Sequence, residues 1–403
     1  MPAIKLKRNI SEKDNRLAVV ILAVGSFTLI NTEFLPVGLL SEIASFFNVS
    51  TGEAGLVITA PGVAAAISAP SLMLFAGKWD RRYIMISMIL MVVLANLVIY
   101  IADNYLLALF SRILLGIAVG GYWSFSMPFA MNLVSDEYKS RAAAIVVAGI
   151  SAGTVAGVPL GTFFGITFGW KNAFWMNGIF AAIVLCLQVR FIPSVKEDTS
   201  TDLSVMWKVL TTPAITQRLL AAILYGAAHF TAFTYYEPLV LTHSHLPGQT
   251  LPLFMLGYGI AGLMGTFLAE NLIRKVSPRG TLAISVILLV CAICSIITVP
   301  ATIATIMIIT LVWGIAFGLM PVSINVWLAQ ASGDKYEIAS SLNVTAFQIA
   351  IATGSLFGGM LVGKMGITMP FIIGIVMGLM CLGMLKRTDG YGDQETEQKC
   401  GQK

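Results

Sequence analysis

Apolar runs of about 20 residues recur along the whole chain, separated by short polar stretches, and a helix of that length rises far enough to cross a bilayer. The runs fall at 17–40, 53–76, 83–101, 105–133, 142–166, 172–192, 217–241, 251–272, 280–299, 302–330, 339–363 and 368–385, and predict twelve transmembrane helices, spans 1 to 12. The first sixteen residues are basic and polar, and no small-residue cleavage site follows the first run, so span 1 is expected to be retained.

Basic residues divide the polar stretches into two kinds. Five lie at or before Arg16, three at Lys78, Arg81 and Arg82, two at Lys139 and Arg141, and four from Arg190 to Arg218. Three more run from Arg274 to Arg279, one is Lys335 and four follow Leu385, so that 22 of the 25 lie on one side of the membrane. Lys171 and Lys364 lie on the other side, and Arg112 falls inside a span. The bias predicts that both termini are cytoplasmic. With 57% hydrophobic and 11% charged residues the chain must have lipid as much of its solvent, and the net charge of +5 reflects the loop bias, giving no reason to expect a nucleic-acid partner. Five cysteines, four of them inside spans, offer no disulfide framework, and no metal-ligand cluster is evident.

Residues 115–143 overlay residues 313–341 at a constant offset of 198: Gly116-Ile117-Ala118 meets Gly314-Ile315-Ala316, Gly120 meets Gly318, and Tyr138 meets Tyr336. The expected organisation is a cytoplasmic tail (1–16), a six-helix half (17–192), a cytoplasmic linker (193–216), a second six-helix half (217–385) and a polar tail (386–403). An amphipathic piece near Leu203 to Leu210 falls within the linker. Repeats of the same orientation are related by an axis along the membrane normal, with a central cavity between them. This is an all-α membrane protein. Arg112 maps to Thr310, so its role belongs to one half. In span 5, Gly153, Gly157 and Gly161 belong to a glycine run of period four with Pro159 inside it. Small residues let helices approach closely, either as static packing or as a rocking surface.

A charge at mid-membrane costs about 2.5–3.5 kcal/mol on insertion scales and calls for a partner or a wet cavity. Glu33 lies seven residues before Leu40 and Arg112 seven after Tyr105, which puts both about 10 Å below the outer face. They can meet, either as a proton-coupling pair whose proton affinity changes with conformation or as a permanent ion pair. His229 and Glu237 share span 7 eight residues apart, about two turns, so they are expected near one face, with Tyr236 beside them and Pro238 following, where a helix is expected to kink. The alternatives to a cavity role are a packing histidine and an outer-rim carboxylate. Asn31, Trp123, Asn325, Trp327, Asn343 and Gln348 are polar or aromatic residues within spans, suited to ligand contact or to gluing helices together. No nucleophile and base pair is recognisable, so an enzyme is not expected.

These motifs resemble the major facilitator superfamily over nearly the whole chain. Within it the chain is similar to the twelve-helix drug:proton antiporter group, in the branch of bacterial sugar, arabinose and purine nucleoside efflux permeases. The resemblance rests on Asn31-Thr32-Glu33-Phe34-Leu35-Pro36 in span 1, Arg112-Ile113-Leu114-Leu115-Gly116 in span 4, Gly157-Val158-Pro159-Leu160-Gly161 in span 5, and His229-Phe230 with Tyr236-Glu237-Pro238 in span 7. It implies a major-facilitator-type fold in a bacterial inner (cell) membrane, with proton coupling through the span 4 arginine and antiport through the span 5 motif. The loop Gly77-Lys78-Trp79-Asp80-Arg81-Arg82 is a shortened form of the family's loop between spans 2 and 3, in which Asp80 and Arg81 are expected to serve the inner gate. The implied activity is alternating-access export of sugars, nucleosides or drugs in exchange for protons. No cofactor is expected, the proton gradient being the energy source, and the expected working unit is a monomer. An importer or uniporter of the same fold is the alternative.

Overall fold

The computed structural model describes residues 12–76, 79–196, 203–244 and 247–387; the ends of both expected tails and Lys78 lie outside them. Among the described residues twelve helices are long and apolar enough to cross a membrane. Spans 1 to 6 are Asn15–Gly38, Thr51–Phe75, Arg81–Ile101, Tyr105–Asn132, Arg141–Phe168 and Trp170–Phe191. Spans 7 to 12 are Pro213–His243, Gly248–Val276, Pro278–Thr298, Ile303–Ser332, Ile338–Met365 and Met369–Lys386. With an even number of spans, span 1 begins and span 12 finishes at one end of the bundle, the terminal end; the other is the far end. The amphipathic helix Leu203–Leu210 precedes span 7, with Met206 and Val209 buried and Trp207 exposed.

Prolines and glycines interrupt three spans at places that matter for the site. In span 1 the α-helix stops at Phe34, a 3-10 turn follows at Leu35–Gly38, and a short helix runs from Leu40 to Phe47. Pro36 has no N–H to offer the carbonyl of Thr32, four residues back, so the α-helical ladder cannot continue there. In span 7 the helix Pro213–Phe233 gives way to Tyr236–Ser244, and Pro238 leaves the Thr234 carbonyl free in the same manner. The expected kink is thus a full break, about one turn before the proline. In span 5 a π-helical stretch occupies Gly153–Gly157, just where Pro159 withdraws the bond that the Val155 carbonyl would accept.

The glycine run of span 5 faces span 1 of its own half. A Cβ on Gly153 would meet Ile30, one on Gly157 would meet Asn31, and one on Gly161 would meet Leu35. Pro159 is buried beside them. The face that span 5 turns to the other half is Val155, whose backbone lies against Gly259 of span 8. The glycines therefore seat span 1 on span 5, and the contact between halves is made by their neighbours.

The halves touch most closely at the far end. Gly52 and Gly359 bring spans 2 and 11 so near that a Cβ on Gly52 would stand 2.2 Å from the Gly359 carbonyl oxygen. Beside them Ser355 Oγ donates to the Gly55 carbonyl at 3.0 Å, and Tyr235 Oη to the Ser355 carbonyl at 2.9 Å. Deeper in, Phe34 and Phe230 stack across the halves with ring centres 5.7 Å apart and planes within 7° of parallel. Near the terminal end, Ser341 Oγ lies 2.7 Å from Met73 Sδ.

Since only hydrogen fits between the two glycine backbones, Gly52→Val is expected to hold the far end open. Spin labels on the far ends of spans 2 and 11 should give a longer distance distribution than in the unsubstituted protein; an unchanged distribution would refute the assignment of this contact as the closure.

Candidate functional site

Arg112 is 1% exposed, and the hydrogen-bond partners of its guanidinium are not carboxylate oxygens. Its Nε donates to the Val57 carbonyl at 2.8 Å, one terminal nitrogen to the Thr32 carbonyl at 3.1 Å, and the other to the Glu33 carbonyl at 3.0 Å. Two of these acceptors have a common origin. Thr32 has lost its helical partner to Pro36, and Val57 has lost its own to Pro61 within span 2. A buried carbonyl without a donor is costly, and a guanidinium offers donors in a planar fork. Arg112 thus clamps spans 1 and 2 to span 4 through backbone that prolines have laid bare. The expected side-chain ion pair with Glu33 is replaced by this backbone clamp, which reaches the backbone of Glu33 itself.

The Glu33 carboxylate turns instead to the other half, where Gln348 Nε2 of span 11 donates to it at 3.2 Å. Both side chains are buried. A titratable group inside the membrane therefore contributes a bond between the halves, next to a fixed cation.

Thr32 and Asn31 are held by a polar cluster that the sequence reading missed. Asn177 of span 6 donates to Thr32 Oγ1 and, at 3.4 Å, to Asn96 Oδ1 of span 3, while its own Oδ1 accepts from Asn31 Nδ2 at 2.8 Å. Asn96 and Asn177 are 0% and 5% exposed. An asparagine within an apolar run was the available signal, since amides in lipid seek partners across helices.

In the second half, His229 is enclosed by aromatic rings. Trp313 Nε1 donates to its Nδ1 at 3.0 Å, and Tyr258 Oη lies 3.4 Å from its Nε2. Because Nδ1 accepts, the ring hydrogen of this histidine is on Nε2. Phe233 and Phe317 stack on the ring at 4.8 and 4.3 Å. Glu237 lies beyond the break in span 7 and has other company: its Oε2 accepts from Ser41 N at 3.1 Å and from Ser41 Oγ at 2.9 Å. His229 and Glu237, expected near one face, are separated by the break at Thr234 and Tyr235. Ser41 and Glu237, bonded to each other, stand at the wall of a far-end cavity of about 540 Å³, lined also by Glu42, Phe46, Trp170 and Leu241. Half-burial pushes the Glu42 carboxyl above its ordinary range.

The remaining residues are dispersed. Tyr236 is buried and bonds Thr310 at 2.6 Å. Asn343 donates to Asn325 at 3.4 Å, between spans 11 and 10. Trp123 is half-buried on span 4. Trp327 is buried under the Arg218 guanidinium, 4.8 Å from the ring centre, and its carbonyl accepts from Arg218 Nε. Asp80 caps span 3 through Arg82 N and binds Val195 N at 3.1 Å and the Ser194 hydroxyl, pinning the segment after span 6 within its own half. Arg81 packs over the Phe125 ring at 4.5 Å.

Comparison with known proteins adds three findings. The family model of the Major Facilitator Superfamily matches residues 22–352. The purine ribonucleoside efflux pump NepI of Salmonella paratyphi B is 29% identical over 388 residues, covering 94% of this chain and 97% of that protein; its Salmonella typhimurium counterpart matches equally. Among solved structures, the nucleoside transporter NupG superposes with a TM-score of 0.75 at 11% identity, over 94% of this chain and 99% of that one. A bacterial homolog of the human lysosomal transporter Spinster, in an inward-facing and unoccupied conformation, gives 0.76 at 14% identity, over 93% and 97%.

The proline origin of the Arg112 acceptors yields a double-mutant test. Arg112→Ala is expected to cost about 2–4 kcal/mol, the penalty of leaving buried carbonyls unpaired. Adding Pro36→Ala returns an N–H to the Thr32 carbonyl and should recover part of that loss, whereas adding Glu33→Gln should recover little. Thermal unfolding in detergent measures both; strictly additive costs for Arg112→Ala and Pro36→Ala would break the argument.

Proposed function

The chain belongs to the major facilitator superfamily, and we propose that it exports small neutral polar solutes, nucleosides foremost, across the bacterial inner membrane in exchange for protons. It is a multi-pass membrane transporter and not an enzyme. The direction and the substrate class draw on the purine ribonucleoside efflux pumps it resembles over nearly their full length. The basic residues support a cytoplasmic position for the terminal end.

Proton exchange is supported by one observation above the others: the buried carboxylate of Glu33 bonds Gln348 across the interface between halves. Any rearrangement that parts spans 1 and 11 at that level breaks this bond and changes what surrounds the acid. Its proton affinity then differs between the two states, which is the physical requirement for coupling. Arg112 serves by holding the turn of span 1 that carries Glu33, so that the acid moves with its half. With the far end shut by Gly52–Gly359 and Ser41–Glu237, we read the structure as the state in which solute enters from the cytoplasmic side.

Glu33→Gln keeps the shape of the side chain and removes its titration. In proteoliposomes, gradient-driven export is expected to fall at least about 100-fold, on the scale of removing a coupled proton group, while exchange of labelled for unlabelled solute persists. Gradient-driven export at the unsubstituted rate would rule out Glu33 as the coupling group.

A further inference from the structure

Three amide side chains on spans 1 and 11 are tied down in the same sense. Asn96 Nδ2 donates to the Val92 carbonyl, which can only accept, so Asn96 turns its oxygen to Asn177 Nδ2. Asn177 then turns its oxygen to Asn31 Nδ2, and Asn31 Oδ1 is left over. Separately, Asn325 Nδ2 donates to the Pro321 carbonyl, its oxygen takes Asn343 Nδ2, and Asn343 Oδ1 is left over. Gln348 spends its Nε2 on the Glu33 carboxylate, and its Oε1 is left over. The first two relays are anchored on backbone carbonyls, which cannot donate, so the direction of their amides is fixed by chemistry; the third keeps its direction while Glu33 is ionised. Asn31 Oδ1, Asn343 Oδ1 and Gln348 Oε1 are all buried without a hydrogen-bond partner.

Buried amide oxygens without donors are unfavourable as they stand and are relieved by whatever brings hydrogens to them. These three stand on spans 1 and 11, which join the halves through Glu33 and Gln348. Asn31 and Asn343 are half-buried as residues, and Gln348 is buried beside Glu33, about one and a half turns from Asn343 along span 11. What the interface lacks is donors, and what it presents is acceptors and a carboxylate.

We propose that Asn31, Asn343 and Gln348 select solutes rich in hydrogen-bond donors and free of anionic groups, reading hydroxyl and amino hydrogens through their amide oxygens. The proposal rests on the transporter reading above and narrows it. A nucleoside or sugar carries several such hydrogens; a phosphorylated or carboxylated relative brings acceptors and negative charge to a site already supplied with both. Asn96 and Asn177 touch no solute and act as positioning residues, because they fix which end of Asn31 is presented.

The test is binding to the purified, full-length protein in detergent, with adenosine, adenosine 5′-monophosphate and 2′,3′-di-O-methyladenosine as probes. Adenosine should bind about 10-fold or more tighter than either relative, since a site built to pair a hydroxyl rejects the analogue that lacks it. In Asn343→Leu, and in the smaller change Gln348→Met, the preference over the methylated probe should shrink while binding of that probe itself is retained. Asn343→Asp keeps an acceptor and should keep the preference better than Asn343→Leu. If adenosine binds but methylation and phosphorylation make no difference, or if the preference survives both apolar substitutions, the selection mechanism is wrong and the transporter reading stands. If neither adenosine nor guanosine nor a neutral sugar binds, the proposed substrate class fails together with it.

Discussion

A guanidinium buried in the first half has to find acceptors, and those it finds are largely carbonyls that prolines have deprived of their amide partners. Pro36 and Pro61 would each weaken a span if nothing replaced the lost bond. Arg112 would be too costly to bury if nothing received its hydrogens. Together the two deficits cancel, with hydrogen bonds to a charged group each contributing about 1.5–3 kcal/mol. The same contact fixes the end of the span 1 helix, the level at which Glu33 enters the interface, and the place where Asn31 is handed to Asn177. Sequence spacing put Arg112 and Glu33 at one depth; the prolines explain why the arginine grips backbone while the carboxylate is free to reach across.

The second half meets the same architectural need without a charge. Thr310, which stands where Arg112 stands in the repeat, bonds Tyr236 at the break of span 7. Both halves therefore have a broken first helix tied to their fourth, once by a cation and once by two hydroxyls. Around the tie in the second half the space is filled by rings, with His229 sealed between Phe233, Phe317, Trp313 and Tyr258. The buried guanidinium groups lie in the first half, and the second presents a stiff aromatic wall with Gln348 and Asn343 on its flank.

The spans and their number were legible because lipid imposes a run length on every crossing, and the fold followed from the repeat at 116 and 314. The candidate residues were legible as exceptions to apolarity, and no more than that. What a run of letters does not carry is direction around the helix. Gly153, Gly157 and Gly161 were recognisable as a close-packing stripe, yet whether the stripe faced span 1 or the other half depended on helix rotation. His229 and Glu237 share a face only if the helix between them is continuous, and Pro238 stops it. Asp80, expected at an inner gate, is engaged with Ser194 and Val195, because a buried N-cap carboxylate takes the nearest hydroxyl and backbone donors. Asn96 and Asn177 were passed over since each looks unremarkable within its own span; their meaning lies in facing each other and Thr32.

The short helix Leu40–Phe47 begins at Leu39, a residue with no side-chain oxygen to receive the first free amides, and no side-chain cap comes from that position. Glu237 supplies the missing acceptor from the other half, binding the amide and the hydroxyl of Ser41 at the positive end of that helix. A helix of eight residues is too short to hold itself together in isolation, and a lost cap costs about 1 kcal/mol. Parting Ser41 from Glu237 would remove this acceptor, so the helix–coil balance of a two-turn segment is linked to whether the two halves meet at the far end.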